Sequence, residues 1–323
     1  MDYIWLILGL GVLVFGGEYL VKGAVGFSSA MKISPLVVGM TVVAFGTSAP
    51  ELLVSVTSAV QGNPEIAVGN VVGSNIANIA LVLGVTVLIF PVIADRNTKR
   101  IDLPMMVFTT FLFFLFGRDL EFDLFEGVVM VSIIVAFTYL LIRNARRKNV
   151  VGEDDDFTEE MKNPSYWRSL FFLLLGFVGL YFGAEWFIKG AVGVADELLA
   201  DMEPGQRKSI IGVTVVAFGT SAPELVASCV AAYRKQTDIS IGNLIGSNIF
   251  NILVVIGITS IVTPIPVKRS VMTYDMIWVI GIALMLVLMI AIGSKIGRIK
   301  GAILLSTYVT YITLIVLKVQ GVI

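Results

Sequence analysis

Histidine is absent from the 323 residues, and cysteine occurs once, at Cys229. Without imidazole there is no histidine metal ligand, general base or titrating switch near neutral pH. Any metal site must use oxygen ligands, which suits hard cations such as Ca2+, Mg2+ or Na+ rather than zinc or copper. A lone thiol cannot close an internal disulfide. Charge is also scarce: 15% of residues are Asp, Glu, Lys or Arg, against roughly 25% in soluble domains. The net charge of −1 leaves no bulk field to attract nucleic acid. No cofactor and no obligate protein partner are expected.

Apolar residues take this place. They make up 57% of the chain, with a mean hydropathy of +0.91, so a lipid bilayer is the expected solvent. A spanning helix needs about 20 mostly apolar residues. Ten such stretches occur, at 3–27, 35–60, 66–90, 103–117, 123–142, 168–193, 208–233, 239–262, 272–292 and 301–318. The first is too long for a cleaved signal peptide and reads as a span. Residues 143–167 form a polar linker, basic from Arg143 to Lys148 and then acidic from Glu153 to Glu160. They divide the chain into a first unit at 1–142 and a second at 168–323. Placing the linker in the cytoplasm puts 16 Lys and Arg on that side and 7 on the other. The excess of basic residues inside then sets both termini outside the cytoplasm.

The two units repeat one another. Thr41–Leu52 reads TVVAFGTSAPEL, and Thr214–Leu225 reads the same twelve letters, 173 positions later. At that offset 26 of 46 positions agree between 39–84 and 212–257. FGGEYLVKGAVG at 15–26 is matched by FGAEWFIKGAVG at 182–193. Five spans per unit is an odd number, so the second unit enters the membrane from the opposite side. The expected fold is an all-α membrane protein of ten transmembrane helices in two inverted five-helix repeats. Transporters of this design place their sites at the midplane between repeats.

The repeated letters carry the chemistry. Glu51 and Glu224 fall within apolar spans, where an ionised side chain costs several kcal/mol unless it meets a partner or water. With no Lys or Arg nearby in the sequence, a bound cation is the expected compensation. Thr47, Glu51 and Ser55 lie four apart on one helix face, with Ser48 beside them. Pro50 lacks an N–H and crowds Gly46, so a kink should free carbonyls from Ala44 to Thr47. Ala217, Gly219, Thr220, Ser221, Pro223, Glu224 and Ser228 repeat the pattern. Ser74 and Asn78, with Ser247 and Asn251, form polar stripes read as further ligands. Asn70 and Asn243 are read as helix caps, and Asn75 and Asn248 equally as interhelical contacts or as ligands. Gly69 with Gly73, and Gly242 with Gly246, should permit close helix approach. Glu18 and Glu185 each precede a Lys by four residues, at Lys22 and Lys189, and are read as local ion pairs.

A doubled GTSAPE followed by GSNxxN resembles the cation/calcium exchanger superfamily. The resemblance implies exchange of Ca2+ for Na+ by alternating access, with those two ions and the bilayer as the only partners. It implies that Glu51 and Glu224 are the central Ca2+ ligands. Thr47, Ser48, Ser74, Thr220, Ser221 and Ser247, with the carbonyls of Ala44 and Ala217, would complete the Ca2+ and Na+ sites. A prokaryotic inner membrane is the implied location. Asn251 stands where some K+-cotransporting relatives have Asp. The alternative is a Ca2+/H+ exchanger on the same scaffold, with protons replacing Na+ on the two carboxyls. A passive channel and an intramembrane carboxylate enzyme are weaker rivals.

Overall fold

The computed structural model describes residues 1–148 and 165–319, so most of the charged linker lies outside the described residues. The chain is almost entirely helical. In hydrocarbon every backbone N–H and C=O must be satisfied within the segment, and helices meet that demand.

Among the described residues twelve helices run in two series of six. The first series is α1 (Asp2–Met31), α2 (Pro35–Thr47), α3 (Ala49–Val60), α4 (Glu65–Ile89), α5 (Thr98–Asp119) and α6 (Leu124–Lys148). The second is α7 (Tyr166–Leu198), α8 (204–220), α9 (Ala222–Tyr233), α10 (Thr237–Val262), α11 (Val271–Ile292) and α12 (Arg298–Val319). Among the described residues eight helices are long and apolar enough to cross a bilayer, and α2 with α3 form a ninth candidate bent by 40°. The stretch foreseen as a span at 208–233 divides into α8 and the short apolar helix α9.

The series repeat in detail. π-helical turns fall at Gly39–Val43, Ala77–Leu83 and Thr98–Asp102, and again at Gly212–Val216, Asn251–Ile256 and Val271–Asp275. Such turns often mark functional positions. Four two-residue strands follow the same logic. β1 (Val92–Ile93) pairs antiparallel with β4 (Lys295–Ile296), and β2 (Glu121–Phe122) pairs antiparallel with β3 (Ile265–Pro266). Each series therefore contributes one strand to each ribbon.

The apolar interior forms two clusters. One joins α1 and α7 to faces of α2 and α9; the other is built mainly on α4, α5, α6, α10 and α11. The α1–α7 pair runs antiparallel along its length, and its closeness comes from glycine. Gly9, Gly16 and Gly23 recur every seven residues on α1, as do Gly176, Gly183 and Gly190 on α7. A Cβ on Gly16 would stand 2.6 Å from the Leu180 backbone nitrogen, and one on Gly183 would stand 2.6 Å from that of Leu13. Membrane helices gain little from hydrophobic driving force between themselves, so tight backbone packing carries their association. Gly16→Val should force α1 and α7 apart at a cost of roughly 1–3 kcal/mol. A lower melting temperature in detergent checks this; an unchanged value would refute the close-packed seam.

Two local expectations are corrected. Glu18 pairs with Arg234 rather than with Lys22. Lys22 instead lies over the Phe172 ring at 5.0 Å, and Lys189 over the Trp5 ring at 4.5 Å. An ammonium over an aromatic face gains from the ring quadrupole.

Candidate functional site

The site begins with a break in each repeat. Ser48 (φ −88°, ψ 2°) separates α2 from α3, and Ser221 (φ −88°, ψ 5°) separates α8 from α9. Pro50 and Pro223 sit in the first turns of α3 and α9, where a missing N–H is tolerated best. Gly46 lies under the Phe177 ring of α7, and Gly219 lies against Ile188; a Cβ at either position would overlap those side chains. These glycines therefore seat the breaks against α7 and do more than loosen the turn. The Ala44 carbonyl is not stripped of partners, since it accepts the Ser48 N–H at 3.0 Å, with the Thr47 hydroxyl oxygen 3.4 Å away. A carbonyl has two lone pairs. Ala217 opens the equivalent turn, Ala217–Thr220.

The breaks bring the acidic side chains to the interior. Glu51 is 1% exposed and Glu224 0%. The carboxyls lie within electrostatic reach of one another. Ser48 Oγ donates to Glu224 Oε1 at 3.5 Å, while Glu224 Oε2 and both Glu51 oxygens have no hydrogen-bond partner among the described residues. No ion pair reaches either carboxyl among the described residues. Buried carboxylate oxygens without partners cost several kcal/mol. The same neighbourhood holds further side-chain atoms with no partner among the described residues: Ser221 Oγ, Asn78 Oδ1 and Nδ2, and Asn251 Oδ1.

Around them runs a scaffold of paired polar groups. Thr47 Oγ1 donates to Asn243 Oδ1 at 3.0 Å and lies 3.3 Å from Ser247 Oγ. Asn70 Nδ2 donates to Ser55 Oγ and Asn243 Nδ2 to Ser228 Oγ, each at 3.1 Å. Asn70 also donates to the Glu51 carbonyl at 3.2 Å. These two asparagines therefore do not cap helices. α4 starts at Glu65 after Pro64, which leaves Asn70 in the second turn, where it crosses to the helix bearing the carboxylate. Its 15-residue spacing from Ser55, repeated at Asn243 and Ser228, was the available sequence signal. Asn75 joins the repeats, donating to the Asn248 carbonyl at 3.3 Å and accepting from Asn251 Nδ2 at 3.1 Å.

The two glycine seams differ. A cavity of about 440 Å3 is lined by Asn70, Gly73 and Ser74 of α4, Gly212 and Thr220 of α8, and Tyr308 and Tyr311 of α12. The equivalent seam on the other repeat is shut. A Cβ on Gly242 would stand 2.7 Å from the Leu36 carbonyl oxygen, one on Gly246 2.6 Å from that of Met40, and one on Gly39 2.8 Å from that of Ile239. Their counterparts Gly69, Gly73 and Gly212 meet nothing within 4 Å. Close approach therefore holds at Gly242 and Gly246 but not at Gly69 and Gly73.

Comparison with known proteins agrees along the whole chain. The family model described as sodium/calcium exchanger protein matches residues 1–143 and 168–317. The chain is 35% identical over 315 residues to the antiporter candidate CaxA of Alkalimonas amylolytica, covering 95% of this chain and 96% of that one. It is 30% identical over 350 residues to the sodium/calcium exchanger MaX1 of Methanosarcina acetivorans, with 98% of each covered. Its fold matches the sodium-calcium exchanger NCX_Mj, solved without Na+ or Ca2+, at a TM-score of 0.82 and 32% identity over 97% of this chain and 98% of that one. A helical membrane scaffold, paired buried carboxylates and these matches lead to one conclusion: the chain belongs to the sodium/calcium exchanger family of membrane antiporters.

Proposed function

We propose that the protein exchanges Ca2+ for Na+ by alternating access, with Glu51 and Glu224 as the shared anionic centre. The observation that carries this reading is the pair of fully buried carboxyls, within electrostatic reach of one another, whose free oxygens meet no basic side chain among the described residues. Ca2+ takes six to eight oxygens. The two glutamates, with Thr47, Ser48, Ser74, Thr220, Ser221, Ser247, Asn78, Asn251 and the carbonyls of Ala44 and Ala217, supply a set of that size. Divided into smaller groups, the same oxygens serve Na+. Because the carboxylates are shared, one kind of ion must leave before the other enters.

Ten spans in two inverted repeats, with both termini outside the cytoplasm of a prokaryotic cell, complete the reading. The repeated element order and the strands exchanged between series support it. The open seam at Gly73 and the shut seam at Gly246 support two interconvertible states, in which α1 and α7 move together across the remaining helices.

Proteoliposome uptake of radioactive Ca2+ tests the function. An outward Na+ gradient with pH clamped on both sides should drive accumulation, and an outward K+ gradient should not. Uptake driven by a proton gradient alone would replace this reading with Ca2+/H+ exchange.

A further inference from the structure

A second buried carboxylate lies away from the central pair. Asp102, at the start of α5, is 1% exposed, and Thr98 one turn earlier is 0% exposed. Asp102 Oδ2 and Thr98 Oγ1 have no hydrogen-bond partner among the described residues. Asp102 lines a cavity of about 60 Å3 with Ser34 at the head of α2, Asn97, and Asn144 on α6. A water needs roughly 10–15 Å3 on this measure, so a small cation with part of its hydration shell fits. Asp95 is within electrostatic reach and adds negative charge, while its Oδ1 accepts the Thr98 N–H at 2.6 Å. No ion pair reaches Asp102 among the described residues.

The repeat shows what is missing. Asp275 occupies the place of Asp102, 173 positions on, in the matching π-helical turn. Tyr311 donates to it at 3.4 Å, and Lys318 is within electrostatic reach while lying over the Tyr274 ring. The correspondence of α6 with α12 is set by glycines: Gly127 of α6 packs on Gly257 of α10, and Gly301 of α12 packs on Gly84 of α4. Gly301 follows Gly127 by 174 positions, and at that offset Lys318 corresponds to Asn144. The second repeat thus keeps an ammonium near its aspartate, whereas the first has an amide and a cavity. Two more exchanges point the same way. Val271 is replaced by the hydroxyl of Thr98, and Lys268 by Asp95.

We infer that the pocket lined by Asp102, Ser34, Asn97 and Asn144 binds a monovalent hard cation of the Na+ class, outside the exchange pathway. One uncommitted carboxylate matches one positive charge, and hydroxyl and amide oxygens complete the shell. Ca2+ would want more carboxylate than the pocket offers. The bound ion ties the heads of α2 and α5 to the end of α6.

The test uses purified protein carrying Glu51→Gln and Glu224→Gln, so that failure of the central site as an ion site does not affect the outcome. Melting temperature is followed as Na+ replaces choline at constant ionic strength, because a ligand that binds only the folded state stabilises it by RT ln(1 + c/Kd), with c the free ligand concentration. The expected result is a rise that becomes linear in the logarithm of Na+ concentration once the site is filled. Adding Asp102→Asn should abolish it. Adding Asn144→Lys should raise the melting temperature in choline and remove the Na+ response. The inference is overturned if choline and Na+ give the same melting temperature, if Ca2+ replaces Na+ at equal concentration, or if the response survives Asn144→Lys.

Discussion

Neutralising either central glutamate should abolish exchange and at the same time make the ion-free protein more stable. The two effects have one cause. Glu51 and Glu224 are buried within electrostatic reach of each other, and three of their four carboxylate oxygens have no partner among the described residues. Each negative charge therefore costs folding free energy until an ion neutralises it. Removing one partner of a buried charge pair typically costs 3–5 kcal/mol, and every 1.4 kcal/mol is tenfold in affinity. Glu224→Gln should thus weaken Ca2+ binding by about two to three orders of magnitude and reduce Na+-driven uptake below detection. Without ions, and with choline as the only cation, the same variant should melt above the parent, since an unmet charge has been replaced by an amide of similar shape. The parent should overtake it once Ca2+ is added. A structural role for the glutamates gives the opposite order in choline. Glu51→Gln should behave alike, as its position in the repeat is equivalent.

The parts of this site legible in the sequence are those that repetition marks. Twelve identical letters placed Glu51 and Glu224 in matching settings, and Pro50 and Pro223 foretold the breaks at Ser48 and Ser221. What escaped depends on contacts distant in the chain. Glu18 has Lys22 four residues away, yet it meets Arg234 from the other repeat, because tertiary packing places that guanidinium closer. Asn70 resembled a cap only while the start of α4 was uncertain; with Pro64 preceding the first helical residue, its amide is free to cross to Ser55. Asp102 passed unnoticed because the fifth helix begins with a π-helical turn upstream of the apolar run, which draws the carboxyl inside. The open and shut seams could not be read at all. The two repeats spell nearly the same residues there, so the sequence allows either seam to close and does not say which one is closed.

That near-symmetry makes Gly73 the most informative position. In this conformation Gly73 borders the cavity, and a Cβ on it would meet nothing within 4 Å. Gly73→Val should therefore fold and melt like the parent, within about 0.5 kcal/mol as for other unobstructed sites. Exchange is another matter, because the proposed cycle requires this seam to shut as its counterpart is shut now. At that counterpart, Gly246, the added carbon would stand 2.6 Å from the Met40 carbonyl and 2.7 Å from the Ala44 Cβ, where backbone leaves no room to yield. An overpacking cost of roughly 1–3 kcal/mol on the closed state alone should slow Gly73→Val turnover by about 5- to 150-fold. Gly246→Val applies the same penalty to the conformation seen here and should shift the population the other way. With Cys229 replaced by Ala, a single cysteine at Ile66 or Tyr308, both of which line the cavity, reports the difference. Gly73→Val should keep it reactive with a membrane-impermeant thiol reagent under all ion conditions, and Gly246→Val should protect it. Parent-like exchange by Gly73→Val would mean that this seam never closes, and that access alternates by some other movement.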